Sequence, residues 1–452
     1  MPLKVKRWLA FYLTILALLG ATALNRPALL ECRATLDPEG HSPLSARFEL
    51  LSRWPLKVER VVIKGVRVDN LSGSTYRRRH SFPITGLLPG RTNTVFLELS
   101  NQAGRRVQTP EFQLTTAPLP EDVPKISTGQ FQPRSSGLFL CTLSTLESPG
   151  KTYQLMLDSL GNIVWLRDRP GNALFTRMLP NGLLATLSSD SGDVTLEDLN
   201  GYKLASHSFG MSPLNPRLQL EEASHTLWAL SRQVPGQRLL GMSLETGEVK
   251  SLPLGNLWTE KRELPIFSFS PGRSKSRFLL ALAGQNSVAE LETEPSKIEW
   301  VFGPPPAWSQ EATPWLLSPS QLEEVPEVPT QTFWAQNGGL ITVESSPTQV
   351  LVREYLVDLR SRTVTRNWSR SLPGTENRIF RVDLNESPYR PGVLLAGFSY
   401  ATRDPSQIFA RIQQFSQSEE AELTTDLILH ASGSKNWKLE SVQEIQTPYS
   451  PR

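Results

Sequence analysis

The stretch Thr152–Trp165, TYQLMLDSLGNIVW, predicts a β-hairpin. Two apolar runs, Tyr153–Leu157 and Ile163–Trp165, flank the tetrapeptide Asp158–Gly161. An aspartate and a glycine at these places favour a tight reversal, because aspartate can hydrogen-bond its own backbone and glycine tolerates a positive φ. Two apolar runs on either side of such a turn are typical of paired antiparallel strands.

The hairpin pattern recurs along the chain in weaker form. The recurrences are Leu196–Leu204, Gly241–Val249, Val288–Trp300, Glu354–Val364 and Ile412–Leu423. Taken at Asp158, Asp198, Glu245, Glu292, Asp358 and Ser418, the turns are 40, 47, 47, 66 and 60 residues apart. This spacing is typical of the four-stranded blades of a β-propeller, and six turns predict six blades. The alternative is an array of β-sandwich hairpins that are unrelated to one another.

A short apolar run upstream of each turn favours the propeller. These runs are Gly137–Leu143, Asn181–Leu187, His225–Leu230, Arg277–Ala283, Gly338–Val343 and Gly392–Gly397. Continuous apolar runs of this length are expected for strands that are buried on both faces, as between the blades of a propeller. The segment 436–442 is predicted to add a strand that closes the ring, since an open propeller leaves an unpaired edge.

Length and composition limit the class of protein. A chain of 452 residues is too long for one ordinary core and fits two domains. The net charge of +3 gives no reason to expect a nucleic-acid partner. Two cysteines and five histidines leave little material for a metal site, so neither a metal nor a cofactor is expected.

The N-terminus predicts export. Lys4, Lys6 and Arg7 precede an uncharged apolar run of 17 residues, Trp8–Leu24, and the small residues Ala21–Ala23 lie within it. These are the parts of a signal peptide. As a helix the run is about 26 Å long, close to the thickness of a bilayer core, so it also fits a single-pass anchor with its basic end in the cytoplasm. Cleavage and anchoring stay open, and the expected location is the periplasm or the extracytoplasmic face of the membrane.

The predicted domains follow from these patterns. They are a signal peptide or anchor (1–29), an Ig- or fibronectin-like β-sandwich (30–116), a proline-rich linker (117–128), the six-bladed propeller (129–446) and a tail (447–452). Within the sandwich, the run Arg77–His80 is either a contact patch for anions or a solvated strand edge. Export permits a disulfide between Cys32 and Cys141, but the sequence favours two buried thiols.

Several motifs, in their order along the chain, resemble the bacterial periplasmic arylsulfate sulfotransferases. The motifs are Pro43–Ala46 with Gly86–Gly90, Leu157–Trp165, Met178–Leu184 and Lys297–Gly303. The resemblance spans nearly the whole exported part, and it implies a small N-terminal sandwich followed by a six-bladed propeller. It also implies transfer of a sulfuryl group from an aryl sulfate to a phenol through a histidine in the central channel. Imidazole is a nucleophile at neutral pH, and cations balance charge on the transferring oxygens.

The chain departs from that family at its histidines. The family places histidines shortly before the inner apolar strand of several blades, where this chain has Asn215–Leu218, Thr330–Phe333 and Asn377–Phe380. The histidines present are His41, His80, His207, His225 and His430. Surface or structural roles are expected for all of them, so no catalytic residue is predicted.

The resulting functional hypothesis is a binding or assembly module that has lost the family's histidine chemistry. Its channel is expected to hold an anionic or aromatic small molecule, or its rim a protein partner, with the membrane contacted through the N-terminal helix. The candidate ligand-binding residues are Arg177, Arg217, Arg378 and Arg381, the cations nearest the inner strands. The alternative is an active arylsulfate sulfotransferase with rearranged residues. The chain lacks a phosphate-binding loop at Gly150–Thr152, a Gly-x-Ser-x-Gly elbow and a His-Glu-x-x-His zinc motif.

The fate of the apolar run is directly measurable. If Trp8–Leu24 is retained as a helix, the protein is expected to fractionate with membranes and to resist extraction by high salt, because apolar burial is insensitive to screening. An intact-mass measurement that places the N-terminus at Leu24 or Asn25 would exclude the anchor.

Overall fold

The described part of the chain consists almost wholly of β-strands. A computed structural model describes residues 29–445, apart from gaps at 71–74, 130–136, 146–149, 172, 189, 212, 222–223, 233–235, 255–265, 275, 294–295, 305–314, 320–325, 346–348, 373–378, 402–407, 419–421 and 431–436. The predicted helix Trp8–Leu24 and the predicted tail 447–452 lie outside these residues. Within them, no helix has the length and apolar character needed to cross a membrane.

The first seven strands form one sheet. They are β1 (Leu29–Leu36), β2 (Ala46–Ile63), β3 (Arg67–Asn70), β4 (Arg77–Ile84), β5 (Thr92–Asn101), β6 (Arg106–Gln108) and β7 (Phe112–Thr115). The long strand β2 pairs with β1 and β4 along its first half and with β3 and β5 along its second half. The sequence predicts two separate strands here, Arg47–Leu51 and Val58–Ile63, whereas the structure has one continuous strand.

The side chains of β2 explain why one strand serves two halves of the sheet. Phe48 and Leu50 are buried at even positions, and Val61 and Ile63 are buried at odd positions. The parity changes because the pairing register shifts between Val58 and Arg60, and an extra residue in a strand turns the following side chains to the other face. Both halves of β2 consequently contribute to one apolar core.

The remaining strands form small antiparallel sheets. They are β8 (Lys125–Thr128), β9 (Leu138–Thr145), β10 (Lys151–Asp158), β11 (Ile163–Pro170), β12 (Ala173–Met178), β13 (Leu184–Ser188), β14 (Asp193–Glu197), β15 (Lys203–Ser208), β16 (Leu214–Glu221), β17 (Thr226–Ser231), β18 (Arg238–Ser243), β19 (Val249–Pro253), β20 (Ser268–Pro271), β21 (Arg277–Leu282), β22 (Ser287–Thr293), β23 (Ser296–Phe302), β24 (Leu316–Pro319), β25 (Pro329–Trp334), β26 (Leu340–Ser345), β27 (Val350–Asp358), β28 (Thr363–Ser371), β29 (Ile379–Glu386), β30 (Val393–Ala401), β31 (Ile408–Ser416), β32 (Leu423–His430) and β33 (Trp437–Ile445). A short 3-10 helix covers Ala283–Gln285.

These sheets are arranged as in a β-propeller. Two sheets run β12-β13-β14-β15 and β16-β17-β18-β19. The next, in the order β20-β21-β22-β23-β24-β28-β27-β26-β25, holds two antiparallel sets that β24 joins by parallel pairing. Another runs β29-β30-β31-β32-β8, so the end of the predicted linker contributes its outer strand. The last strand of the chain, β33, pairs with β9 in the order β11-β10-β9-β33, as predicted for the segment that follows residue 436.

The predicted hairpin at Asp158 is confirmed together with its turn chemistry. Strands β10 and β11 pair antiparallel, and the Asp158 carboxylate accepts hydrogen bonds from the backbone N–H groups of Leu160 and Asn162 at 2.9 and 2.8 Å. Gly161 has a φ of 82°. The same arrangement recurs between β14 and β15, where Asp198 accepts from two backbone N–H groups. The other recurrences also pair as antiparallel strands.

The predicted apolar runs are also strands, and each is the second strand of its set. Strand β9 is buried at every position, and β21 is buried from Phe278 to Leu282. Apolar clusters between successive sheets contain these strands, and one of them takes residues from β12–β14 and β16–β18. Burial on both faces accounts for the continuous apolar sequences.

The N-terminal sheet contacts the first two of the small sheets, those that contain β9–β11 and β12–β15. The backbone N–H of Gly86 donates to the carbonyl of Val164 at 2.7 Å, and Arg47 forms an ion pair with Asp198 at 3.1 Å. Leu44 is fully buried within the core cluster that contains β9 and β10. These contacts join the first sheet to the propeller-like part through both backbone and core.

The two cysteines are free thiols, as the sequence favours. Cys141 is buried in β9, while Cys32 in β1 is only half-buried. Burial raises the pKa of the Cys32 thiol to about 12 and raises the pKa of Cys141 as well. Neither thiol is therefore a ready nucleophile at neutral pH.

The closing strand is expected to carry much of the stability. The indole of Trp437 is 2% exposed, packs 5.1 Å from the ring of Tyr153, and donates to the carbonyl of Asp122 at 3.0 Å. Trp437→Ala is expected to lower the free energy of unfolding by about 3–5 kcal/mol, because it leaves a cavity and removes the hydrogen bond from the indole. Leu160→Ala, at a residue that is 62% exposed, is the matched control. Chemical denaturation measures both, and equal midpoints for the two variants would contradict this account of ring closure.

Candidate functional site

A cavity of about 650 Å³ lies where six strands converge. Its lining comes from the C-terminal ends of β12, β16, β20, β25, β29 and β33 and from the residues that follow them. These are the first strands of their sets, together with the closing strand. The cavity therefore occupies one end of the channel of the propeller-like arrangement.

Side-chain amides hold the lining strands together. The amide of Gln331 donates to the carbonyl of Leu384 at 2.5 Å and accepts from its backbone N–H at 2.9 Å. Gln443 makes the same pair of bonds with Met178, at 3.2 and 2.8 Å. Since these strands do not form a sheet with one another, the amides supply partners for backbone groups that are otherwise unpaired. The cavity wall is thereby fixed.

Aromatic side chains line the cavity at several places. Phe333 and Trp334 at the end of β25 form what we call the aromatic wall, and Phe175 of β12 and Tyr389 after β29 line the cavity elsewhere. The Trp334 indole N–H donates to the carboxylate of Glu290 at 3.2 Å, and the guanidinium of Arg273 stacks 3.7 Å from the centre of its ring. These contacts hold Trp334 in one orientation, which reduces the entropy that a bound ligand would otherwise lose.

Two carboxylates in the lining have protein partners. Glu386 accepts from the backbone N–H groups of Gly392 at 2.9 Å and Gln336 at 2.7 Å. Glu444 is 4% exposed and forms an ion pair with Arg390 at 2.7 Å. Carboxylates bound in this way stabilise the rim and do not form a paired acid–base site.

The structure separates the candidate arginines. Arg177 lines the cavity, where it is the single lysine or arginine among the described lining residues, and donates to the Gln219 side chain at 3.3 Å. Arg217 is 7% exposed and donates to the carbonyl of Val382 at 2.6 Å, so it spans from β16 to β29 and is absent from the described lining. Arg378 lies outside the described residues, and for Arg381 the structure describes only the backbone, in β29.

All five histidines lie away from the described lining of the cavity. His80 in β4 contacts the carbonyl of Leu56 at 2.8 Å, and His225 occupies a turn at a φ of 47° beside Glu245. His430 contacts the Ser127 hydroxyl at 2.7 Å in the outer part of its sheet. His207 lies in the edge strand β15, and His41 is exposed near Gly201. Within the described residues, no three histidine, cysteine or carboxylate side chains are grouped to hold a metal ion.

The fold and the cavity define an all-β protein with a propeller-like arrangement of sheets and an aromatic channel cavity. No protein-family model matches the chain, and no curated protein is similar to it. TolB from Acinetobacter baumannii is 12% identical, with 80% of each chain covered and a TM-score of 0.42. A periplasmic gluconolactonase from Pseudomonas aeruginosa is 11% identical, with 70% of this chain and 99% of that chain covered and a TM-score of 0.40.

A third similar structure is the hydrazine synthase of Kuenenia stuttgartiensis. It is 8% identical, with 56% of this chain and 65% of that chain covered and a TM-score of 0.38. The chain therefore spans less than two thirds of that protein. Similarities this distant carry no argument about activity, so function has to be argued from the cavity itself.

Sequence reasoning missed the glutamines and the aromatic wall. Gln331 and Gln443 contact residues 53 and 265 positions away, and no local pattern marks such contacts. Glu290 did carry a signal, because it is a single carboxylate within the apolar run Val288–Leu291, and a buried charge in a strand needs partners. Those partners are the two tryptophans Trp300 and Trp334, together with Arg277.

The two described arginines are expected to behave differently on substitution. Arg217→Ala removes a buried charged donor that spans the channel, so the free energy of unfolding is expected to fall by about 2–4 kcal/mol. Arg177→Ala is the matched control and is expected to cost no more than about 1 kcal/mol, since Arg177 is partly exposed. Denaturation curves measure both. A larger loss for Arg177→Ala than for Arg217→Ala would show that these roles are assigned the wrong way round.

Proposed function

We propose that the chain is an exported six-bladed β-propeller with an N-terminal β-sandwich, whose channel cavity binds an aromatic small molecule that carries one anionic group. The antiparallel sets of strands supply the six blades, with β33 as the innermost strand of the first. Residues 30–116 form the sandwich, and the protein acts in the periplasm or at the extracytoplasmic face of the membrane. It is either secreted or held by a single N-terminal helix. Its fold is that of the arylsulfate sulfotransferases, without their histidine chemistry.

The observation that carries this proposal is the combination of a rigid aromatic wall with one arginine. Phe333 offers an apolar face for a ring, and Trp334, one face of which is covered by Arg273, adds the rest of its surface and is held by Glu290. Arg177 supplies charged donors, and the lining carboxylates Glu386 and Glu444 already have partners. A ligand with an apolar ring and one negative charge matches this arrangement, because pockets bind through apolar contact and orient ligands with few polar groups. A highly charged anion does not match, since the described lining holds one cation.

Catalysis has less support than binding. Sulfuryl transfer through an enzyme-bound intermediate needs an unprotonated nucleophile that points at the sulfur. Besides Glu386 and Glu444, which have partners, the described lining offers amides and hydroxyls and none of the five histidines; they are Gln219, Gln331, Gln443, Asn385, Thr176, Ser270 and Tyr389. Amides are poor nucleophiles, and a hydroxyl needs an adjacent base. An active sulfotransferase remains the alternative function, with its site outside this cavity.

Calorimetric titration with phenyl sulfate tests the binding proposal, with neutral benzyl alcohol as the comparison ligand. Phenyl sulfate is expected to bind, and Arg177→Gln is expected to weaken its binding about 10-fold, because a hydrogen bond to a charged group contributes about 1.5–3 kcal/mol. The affinity for benzyl alcohol is expected to change little in the Arg177→Gln variant. Arg360→Gln, an exposed propeller arginine, is the matched control. Undetectable binding of phenyl sulfate, or binding that Arg177→Gln leaves unchanged, would contradict the proposal.

A turnover assay separates binding from transfer. Release of 4-nitrophenol from 4-nitrophenyl sulfate in the presence of phenol is expected to match the buffer control. Turnover above that control that disappears in His207→Ala or His225→Ala would establish the alternative function.

A further inference from the structure

The pairing of β2 with β4 is irregular between Leu51 and Leu56, and exposed aromatic side chains lie at this irregularity. Trp54 is 55% exposed, and Tyr76, next to the start of β4, is 41% exposed. Arg77 pairs with Leu56 and Arg79 pairs with Leu51, so the start of β4 lies beside the irregularity. The two aromatic residues therefore belong to one end of the N-terminal sheet.

Basic side chains converge on the same end. Arg77, Arg78 and Arg79 are all exposed. The pairing of Asn101 with Leu56 adds the turn that follows β5, which carries the exposed Arg105. We call the surface formed by Trp54, Tyr76, Arg77–Arg79 and Arg105 the basic tip. Because these cations come from two different segments of the sheet, the tip is more than a single solvated strand edge.

Two carboxylates lie near the basic tip, Glu59 on β2 and the exposed Glu31 on β1, which pairs with Leu51 opposite Arg79. Glu59 accepts from the Ser100 hydroxyl at 2.6 Å and from Lys57 at 3.3 Å. The hydrogen bond from Ser100, together with Lys57 and Arg106, lowers the pKa of Glu59. These two carboxylates offset at most two of the four arginine charges, so the tip keeps an excess of positive charge.

The chain enters the described fold at the basic tip. Leu29, the first residue of β1, pairs with Ser52, and Leu30 is 52% exposed. The preceding residues include the apolar run Trp8–Leu24, which the sequence predicts to be a signal peptide or a membrane anchor. If that run is retained, at most a few residues separate it from the tip.

The propeller-like part contacts the opposite end of the same strands. Arg47 near the start of β2 binds Asp198, and Gly86 beyond the end of β4 binds Val164. Seven residues of extended strand separate Arg47 from Trp54, which is about 23 Å. The tip therefore points away from the propeller, and nothing in the described part of the fold covers it.

We propose that the basic tip rests on a membrane surface and binds anionic phospholipid headgroups, which holds the propeller clear of the bilayer. Tryptophan and tyrosine favour the interface between lipid and water, and clustered arginines are attracted to anionic headgroups over about one Debye length. The site of chain entry selects a membrane over a protein partner, because the predicted anchor leads directly to this surface. The proposal concerns a different surface from the channel cavity and is independent of the ligand proposed there.

A spin label at the tip tests this proposal with the full chain. Trp54→Cys carries a nitroxide, and Leu359→Cys in the turn between β27 and β28 is the control position, since Leu359 is 40% exposed. Power-saturation spectra with oxygen and a water-soluble nickel complex report immersion. The chain is reconstituted with nanodiscs of phosphatidylcholine alone or with phosphatidylglycerol added. Labelling of the unsubstituted chain gives the background signal from Cys32 and Cys141.

The expected result is protection of position 54 from the nickel complex in discs with phosphatidylglycerol, with position 359 unprotected. Protection is expected to be lost in phosphatidylcholine discs, in high salt, and in the double variant Arg77→Glu with Arg79→Glu. The control double variant Lys250→Glu with Arg360→Glu has the same net charge and is expected to retain protection. Equal spectra at positions 54 and 359 in anionic discs would overturn the proposal. Equal protection of position 54 in discs with and without phosphatidylglycerol would also overturn it. Circular dichroism of each variant confirms folding.

Discussion

The structure depends on hydrogen bonds to the inner edges of the strands that line the channel. The backbone N–H and carbonyl groups on these edges have no neighbouring strand in their own sheet. Gln331 and Gln443 each bond both the N–H and the carbonyl of a residue on the neighbouring strand, Leu384 and Met178 respectively. Gln237 bonds both backbone groups of Ile266 in the same way. A side-chain amide can present one of its two N–H donors beside its carbonyl acceptor, as a peptide group does, so it replaces one step of a β-ladder. These amides and the pairing of β33 with β9 supply backbone partners where the sheets of the ring meet.

The same constraint shapes the cavity. Strands that are fixed to one another present their ends in a fixed arrangement, and Trp334 is fixed further by Glu290. A buried carboxylate is costly unless it has partners, and Glu290 has two indole N–H groups and Arg277. The stabilising network and the aromatic wall are thus one set of contacts. This explains how a channel with little formal charge can offer a defined binding surface.

Local sequence signals predicted the hairpins well, because their information lies within a few residues. Asp158 and Gly161 specify a turn by their own backbone preferences, and the apolar run before that turn specifies a strand. Strand β2 was predicted as two pieces because Trp54 and Pro55 interrupt its alternation, and its register shift near Val58 reverses which positions are buried. The strand at Lys125–Thr128 was hidden in a proline-rich segment, since its pairing with β32 depends on residues about 300 positions away.

The site was less predictable for the same physical reason. The sequence placed Arg177 and Arg217 near the channel as equivalent cations, yet one donates across the ring to Val382 and the other faces the cavity. Which of two arginines is buried depends on the strands opposite, and that information is distributed over the whole ring. Trp334 belongs to an ordinary strand sequence, and only its contacts with Glu290 and Arg273 distinguish it.

The most direct test of the account is an experimentally determined structure of the full chain with phenyl sulfate. The account predicts ligand density in the channel cavity, with the ring against Phe333 or Trp334 and the sulfate within hydrogen-bonding distance of Arg177. Density beside His207 or His225, with the cavity empty, would contradict it.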